Sequence, residues 1–164
     1  MRHLNHRVVM TSPRTLWAIP ALLSLTAFIH AADTAPPVPE AGNHEYSLKH
    51  DGRERTYLLH IPPKYEGATP LPLVMFFHGG MGTAEHGEKS YGWSEKADAE
   101  GFLVVYANGT GRTWNAIHGC GPAHKNNVDD LGFVKAMLQD LNAKVKIDAK
   151  RIYATGMSNG AMFS

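Results

Sequence analysis

The run Arg151-Ile152-Tyr153-Ala154-Thr155-Gly156-Met157-Ser158-Asn159-Gly160 joins a short apolar strand to a serine held between two glycines. Arg151 to Thr155 reads as a buried strand. Gly156-x-Ser158-x-Gly160 matches the nucleophile-elbow pattern. A sharp strand-to-helix turn lifts the serine oxygen above the sheet, and its packing leaves room only for hydrogens at the flanking positions. Two glycines around a serine occur by chance in many loops. The preceding strand supplies the required context and makes Ser158 the candidate nucleophile.

Upstream, Leu71 to Phe77 is a nearly continuous apolar run. Such a run fits a strand buried on both faces, as in a parallel sheet covered by helices. It ends in His78-Gly79-Gly80-Met81-Gly82, a loop whose glycines let the backbone approach a developing oxyanion. The backbone N–H groups of Gly80 and Asn159 are the candidate oxyanion donors. His78 reads as structural, because in this chemistry the order is serine, then an acid, then histidine.

The other elements follow the same alternation. His44–His50 and Arg53–Ile61 alternate apolar and polar residues around Asp51-Gly52, a two-residue turn that accepts positive φ, so they form a hairpin. Pro62 and Pro63 end it. Ser90–Glu100 is expected to be one helix stopped by Gly101, and Phe102–Tyr106 a second buried strand. Asp129 or Asp130 caps a further helix. Leu131, Val134, Leu138, Leu141 and Val145 would form its buried face. Strands alternating with helices imply an α/β architecture with a mostly parallel sheet between two helical layers.

The ends and the composition bound the function. Met1 to about Ala31 reads as a secretory signal peptide: Arg2, Arg7 and Arg14, then an apolar run from Leu16 to Ile29, then Ala31-Ala32. The run is shorter than the ~20 residues of a spanning helix, so no stable membrane anchor is expected after cleavage. Residues 32–43 include Ala35-Pro36-Pro37-Val38-Pro39 and read as a linker. The folded region is 44–164. The chain of 164 residues has a net charge of +1 and no basic stripe, so a nucleic-acid partner is not expected. Its ten histidines are scattered without ligand spacing, so neither a metal nor another cofactor is expected. Cys120 is the one cysteine. In an exported protein it is either buried and free or paired with a residue outside this chain.

Five blocks in order carry a family resemblance. They are Asp51-Gly52-Arg53-Glu54-Arg55-Thr56-Tyr57; Phe77-His78-Gly79-Gly80; Trp114-Asn115 with Cys120-Gly121-Pro122-Ala123; Asn127-Val128-Asp129-Asp130-Leu131-Gly132-Phe133; and the elbow run itself. Together they resemble the secreted esterases that include polyhydroxybutyrate depolymerases and feruloyl and acetylxylan esterases. The resemblance implies a three-layer α/β-hydrolase fold, truncated after the nucleophile elbow, and a Ser-Asp-His triad acting on polyhydroxyalkanoate or on feruloyl or acetyl esters of plant polysaccharide. It carries the nucleophile to Ser158 and the loop donor to Gly80. The family often has two adjacent cysteines where this chain has Gly119-Cys120, so its usual disulfide is not implied. The family's Asp and His would follow Ser158 at a distance greater than the six residues present here.

Two loop residues have competing readings. Trp114 could stack on a substrate ring or pack beneath its loop. Asn108-Gly109-Thr110 is a formal glycosylation acceptor, but Asn-Gly reads more simply as a turn. The expectation is a secreted serine ester hydrolase whose partner is an ester substrate. An acyltransferase on the same fold, or an inactive remnant without the base, are the alternatives.

Overall fold

The computed structural model describes residues 38–117 and 121–164. The expected signal peptide, the first half of the linker and Cys120 lie outside the described residues. β1 (Gly42–His50) and β2 (Arg53–Ile61) pair antiparallel from His50↔Arg53 to Gly42↔Ile61. Asp51 and Gly52 turn between them with φ of 50° and 71°, the left-handed geometry that a two-residue hairpin requires.

β3 (Leu71–Phe77), β4 (Leu103–Ala107) and β5 (Ile147–Gly156) run parallel, and the five-stranded order is β1-β2-β4-β3-β5. The sheet is therefore mixed: β2 meets β4 antiparallel, and the parallel strands lie beyond. Alternate residues of β3 serve opposite layers, because successive side chains in a strand point to opposite faces. Leu73, Met75 and Phe77 join Leu59, Val105, Phe133, Met137 and Leu141 in one core. Phe76 joins Leu58, Val104, Tyr106, Ala84 and Ala97 in the other. Each core is closed by helices, which gives the three layers.

The helices differ from expectation in three ways. The single helix expected over Ser90–Glu100 is two, α1 (Ala84–Ser90) and α2 (Trp93–Glu100). Gly92 separates them at φ 67°, a conformation no continuous helix contains. Thr83 caps α1, its hydroxyl accepting from His86 N–H at 3.2 Å. A short helix, α3 (Pro122–Lys125), follows the loop after β4. In α4 (Asp130–Asn142), Asp129 is the cap, accepting from Gly132 N–H at 2.9 Å. The buried face of α4 is Asp130, Phe133, Val134, Met137 and Leu141, whereas Leu131 is 61% exposed. The face is rotated because a buried ion pair at Asp130 takes the position that apolar spacing assigned to Leu131.

β5 also departs from expectation. It begins at Ile147 and none of its ten residues is fully buried, with Tyr153 55% exposed. Among the described residues β5 has a strand on one side only, β3. No helix among the described residues is long and apolar enough to cross a membrane.

Candidate active site

Ser158 stands between β5 and α5 (Asn159–Phe163) at φ 51° and ψ −117°, and it is exposed. Few non-glycine residues hold such a backbone, and those that do are fixed by their surroundings. Here the fixing is visible. Met157 N–H donates to Phe77 O at 3.2 Å, Gly160 N–H to Met157 O at 2.9 Å and Met162 N–H to Ser158 O at 3.0 Å. A Cβ on Gly156 would lie 2.6 Å from Phe77 O, and one on Gly160 would overlap the Phe77 and His78 carbonyl oxygens. The elbow thus rests directly on the end of β3, where the His78–Gly82 loop begins. Both segments lie at the carboxyl ends of parallel strands, the usual ligand side of an α/β sheet.

The loop is organised around the Gly79 carbonyl. It accepts from His78 Nδ1 at 2.8 Å and from Gly82 N–H at 2.9 Å. Gly79 C=O and Gly80 N–H share one trans peptide plane and point opposite ways. Anchoring the carbonyl therefore aims the Gly80 N–H away from the loop's interior. Among the described residues neither the Gly80 N–H nor the Asn159 N–H has an acceptor. For Asn159 the reason is its place in the first turn of α5, whose N–H groups lack intrahelical partners.

His78 is buried, and its Nε2 accepts from Gly109 N–H at 3.0 Å. That contact assigns the ring proton to Nδ1. Burial lowers the pKa below 6.5, offset in part by the bond to Gly79 O. A neutral histidine with both nitrogens engaged is a structural strut.

Trp114 is fully buried beneath the elbow, so its ring has no surface to offer a substrate. It stacks on Phe163 at 5.2 Å and meets Phe77 edge-on at 5.1 Å. Its indole N–H donates to His78 O at 2.9 Å. The side chain of Asn159 clasps the Trp114 backbone, accepting from its N–H at 2.7 Å and donating to its carbonyl at 3.1 Å. Asn159 entered the sequence reading for its N–H alone. Its amide works here like an added peptide group, a pairing no local pattern announces.

A second support was also missed. Arg55 Nη2 donates to Asp130 Oδ1 at 2.6 Å, with both side chains buried. The other Asp130 oxygen accepts from Asn115 N–H at 2.8 Å. The guanidinium lies 3.9 Å from the centre of the Phe133 ring. β2 and α4 are thereby tied to the loop that carries Trp114. Asn108 is held too, its Oδ1 accepting from Ala84 N–H at 2.7 Å and its Nδ2 donating to Thr56 Oγ1 at 3.0 Å.

The three layers, the strand order and the elbow define the α/β-hydrolase fold. The Staphylococcus aureus fluorophosphonate-binding serine hydrolase FphF superposes with a TM-score of 0.56 at 12% identity, covering 74% of this chain and 49% of that one. No protein-family model matches the chain. Among curated proteins, esterase NocK of Nocardia uniformis subsp. tsuyamanensis is 31% identical over 132 residues, 78% of this chain and 38% of that protein. Poly(3-hydroxyalkanoate) depolymerase C of Paucimonas lemoignei is 33% identical over 169 aligned positions, 100% of this chain and 37% of that protein. Feruloyl esterase B of Piromyces equi is 29% identical over 114 residues, 67% of this chain and 20% of that protein. The chain shares the α/β-hydrolase fold, is similar in sequence to this group of esterases, and spans well under half the length of each of these relatives.

Proposed function

We propose that the protein is a serine carboxylic ester hydrolase with Ser158 as nucleophile. The observation that carries this reading is the backbone of Ser158, exposed at φ 51° on a turn whose flanking glycines admit no Cβ. Ser158 Oγ attacks the ester carbonyl carbon, and its proton passes to a general base. The carbonyl oxygen becomes an oxyanion held by the N–H groups of Gly80 and Asn159. Collapse breaks the bond to the leaving alcohol, which takes the proton, and leaves an acyl-enzyme. Water then attacks the acyl carbon, its proton passes to the base, and Ser158 regains a proton as the acid departs. No metal or cofactor enters these steps.

Among the described residues no side chain hydrogen-bonds Ser158 Oγ. The base, a histidine oriented by an aspartate, is assigned to sequence beyond these residues, in keeping with the greater length of the relatives. The names of those relatives support polyhydroxyalkanoate or feruloyl and acetyl esters of plant polysaccharide as substrates, and the leader pattern at Met1–Ala31 supports export. A fluorophosphonate probe applied to the protein expressed from its complete reading frame tests the reading. Labelling at Ser158, abolished in Ser158→Ala, is expected. Absence of label, or label at another residue, overturns it.

A further inference from the structure

A cleft of about 240 Å³ opens beside the elbow, lined by Gly79, Gly80, Met81, Tyr91, Met157 and Arg112. Arg112 holds the loop from three sides. Its carbonyl accepts from Met81 N–H at 2.9 Å, its Nη2 donates to Met81 O, and its Nε donates to Gly82 O at 3.4 Å. Met81 and Arg112 both sit at positive φ, 67° and 61°, without being glycine. Each residue's backbone therefore needs its neighbour to hold it in place.

We propose that Arg112 is a positioning residue that sets the aim of the Gly80 N–H through two peptide planes joined by a hydrogen bond. The proposal rests on Gly80 being an oxyanion donor. The first plane contains Met81 C=O and Gly82 N–H, which point in opposite directions. With Arg112 Nη2 on the carbonyl, the Gly82 N–H is turned towards Gly79 O and bonds it at 2.9 Å. The second plane contains Gly79 C=O and Gly80 N–H. Its carbonyl is now fixed, so its N–H is fixed as well. Without the guanidinium, Met81 has no side-chain partner for its carbonyl, and the first plane can rotate. The Gly80 N–H then loses its preset direction. Preorganised aim is what makes such a donor effective, and removing one donor outright costs about 10²–10³ in kcat. Loss of aim, with the donor still present, belongs at or below the lower end of that range.

The test uses the protein expressed from its complete reading frame and three variants. Asn tolerates positive φ but is too short to reach Met81 O, Arg112→Gly keeps the backbone contact without strain, and Arg112→Lys retains one donor. For Arg112→Asn, kcat on a soluble ester and the rate of fluorophosphonate labelling at Ser158 should each fall about tenfold to a hundredfold. KM should stay within about threefold, since the interaction is spent in the transition state. Arg112→Lys should recover part of both rates. Should the Asn variant fail to fold, the Gly variant carries the same expectation. A folded Asn or Gly variant with the wild-type labelling rate overturns the proposal. So does a raised KM at unchanged kcat, which would mark Arg112 as a substrate contact, or a Lys variant no better than Asn. A wild-type protein unlabelled at Ser158 defeats the underlying serine-esterase reading before any variant is compared.

Discussion

At Gly160 the only substituent the turn admits is hydrogen, because the carbonyl oxygens of Phe77 and His78 occupy the space of a Cβ. Backbone cannot step aside as a flexible side chain can. Gly160→Ala should therefore sit at the upper end of overpacking costs, about 3 kcal/mol, read as a lower midpoint in denaturant unfolding. Gly80 is the contrast, since a Cβ there meets nothing within 4 Å. Gly80→Ala keeps the N–H and should unfold within about 0.5 kcal/mol of wild type. Equal losses in the two variants would refute the packing account. His78 gives a prediction in pH. Its folded pKa lies below 6.5 because burial penalises the cation. The stability it contributes is therefore complete above pH 6.5 and declines as pH falls from there through the depressed folded value. Melting temperatures between pH 7.5 and 5 should fall more steeply for wild type than for His78→Gln, which does not titrate. Parallel curves would show that His78 is not held neutral. The place of Ser158 on the strand-to-helix turn, the place of Gly80 in the loop after β3 and the structural role of His78 were readable from sequence, because each follows from a pattern of neighbours. The Asn159 clasp on Trp114 was not, since it joins positions 45 residues apart.

Elements were legible where their burial was uniform. β3 was read to its exact ends, because an apolar run of seven between loops admits few alternatives. The α1–α2 break was hidden, since one glycine inside a polar stretch leaves the helical pattern intact. The face of α4 was misread for a more instructive reason. A buried Asp130 counts as polar in any periodicity, yet it occupies a core position because Arg55 comes from β2 to meet it. The pair has consequences for stability. Burial lowers the Arg55 pKa, and the hydrogen bond and charge of Asp130 act in the opposite direction. Asp130→Asn removes the charge but leaves the guanidinium buried, and about 3–5 kcal/mol of stability should be lost. The double variant Arg55→Met with Asp130→Leu removes both charges. It should lose less than the single variant, with the Asn115 N–H left unpaired as its residual cost. Equilibrium unfolding of the single and double variants decides this; a double variant worse than the single would contradict it.

At the scale of the molecule, the sheet order sets what the described residues hold in place. β3 is enclosed by β4 and β5, and it seats the elbow and the His78–Gly82 loop in one frame. Under the proposed mechanism the described residues present Ser158 with no side chain bonded to its hydroxyl, so these residues alone should turn over a p-nitrophenyl ester only at a trace rate. Turnover near that of a full-length relative would refute the assignment of the base to sequence outside them. β5 has the opposite standing from β3. Among the described residues it is a ten-residue strand with one partner, and Tyr153 and Met157 on it and just after it are 55% and 43% exposed. Its second half, Ile152–Gly156, carries no charge and has free backbone groups, a template for pairing with another chain. Its charged residues, Asp148, Lys150 and Arg151, all lie in the first half. Residues 38–164 produced alone should therefore self-associate at ~50 μM, within the range where exposed edges aggregate. Light scattering would follow the process directly. Tyr153→Lys places a charge on the exposed edge and should slow it, while Leu131→Lys, exposed on α4 away from the edge, should not. A monodisperse monomer at that concentration, or equal slowing by both lysines, would mean that the β5 edge is not the surface through which these chains meet.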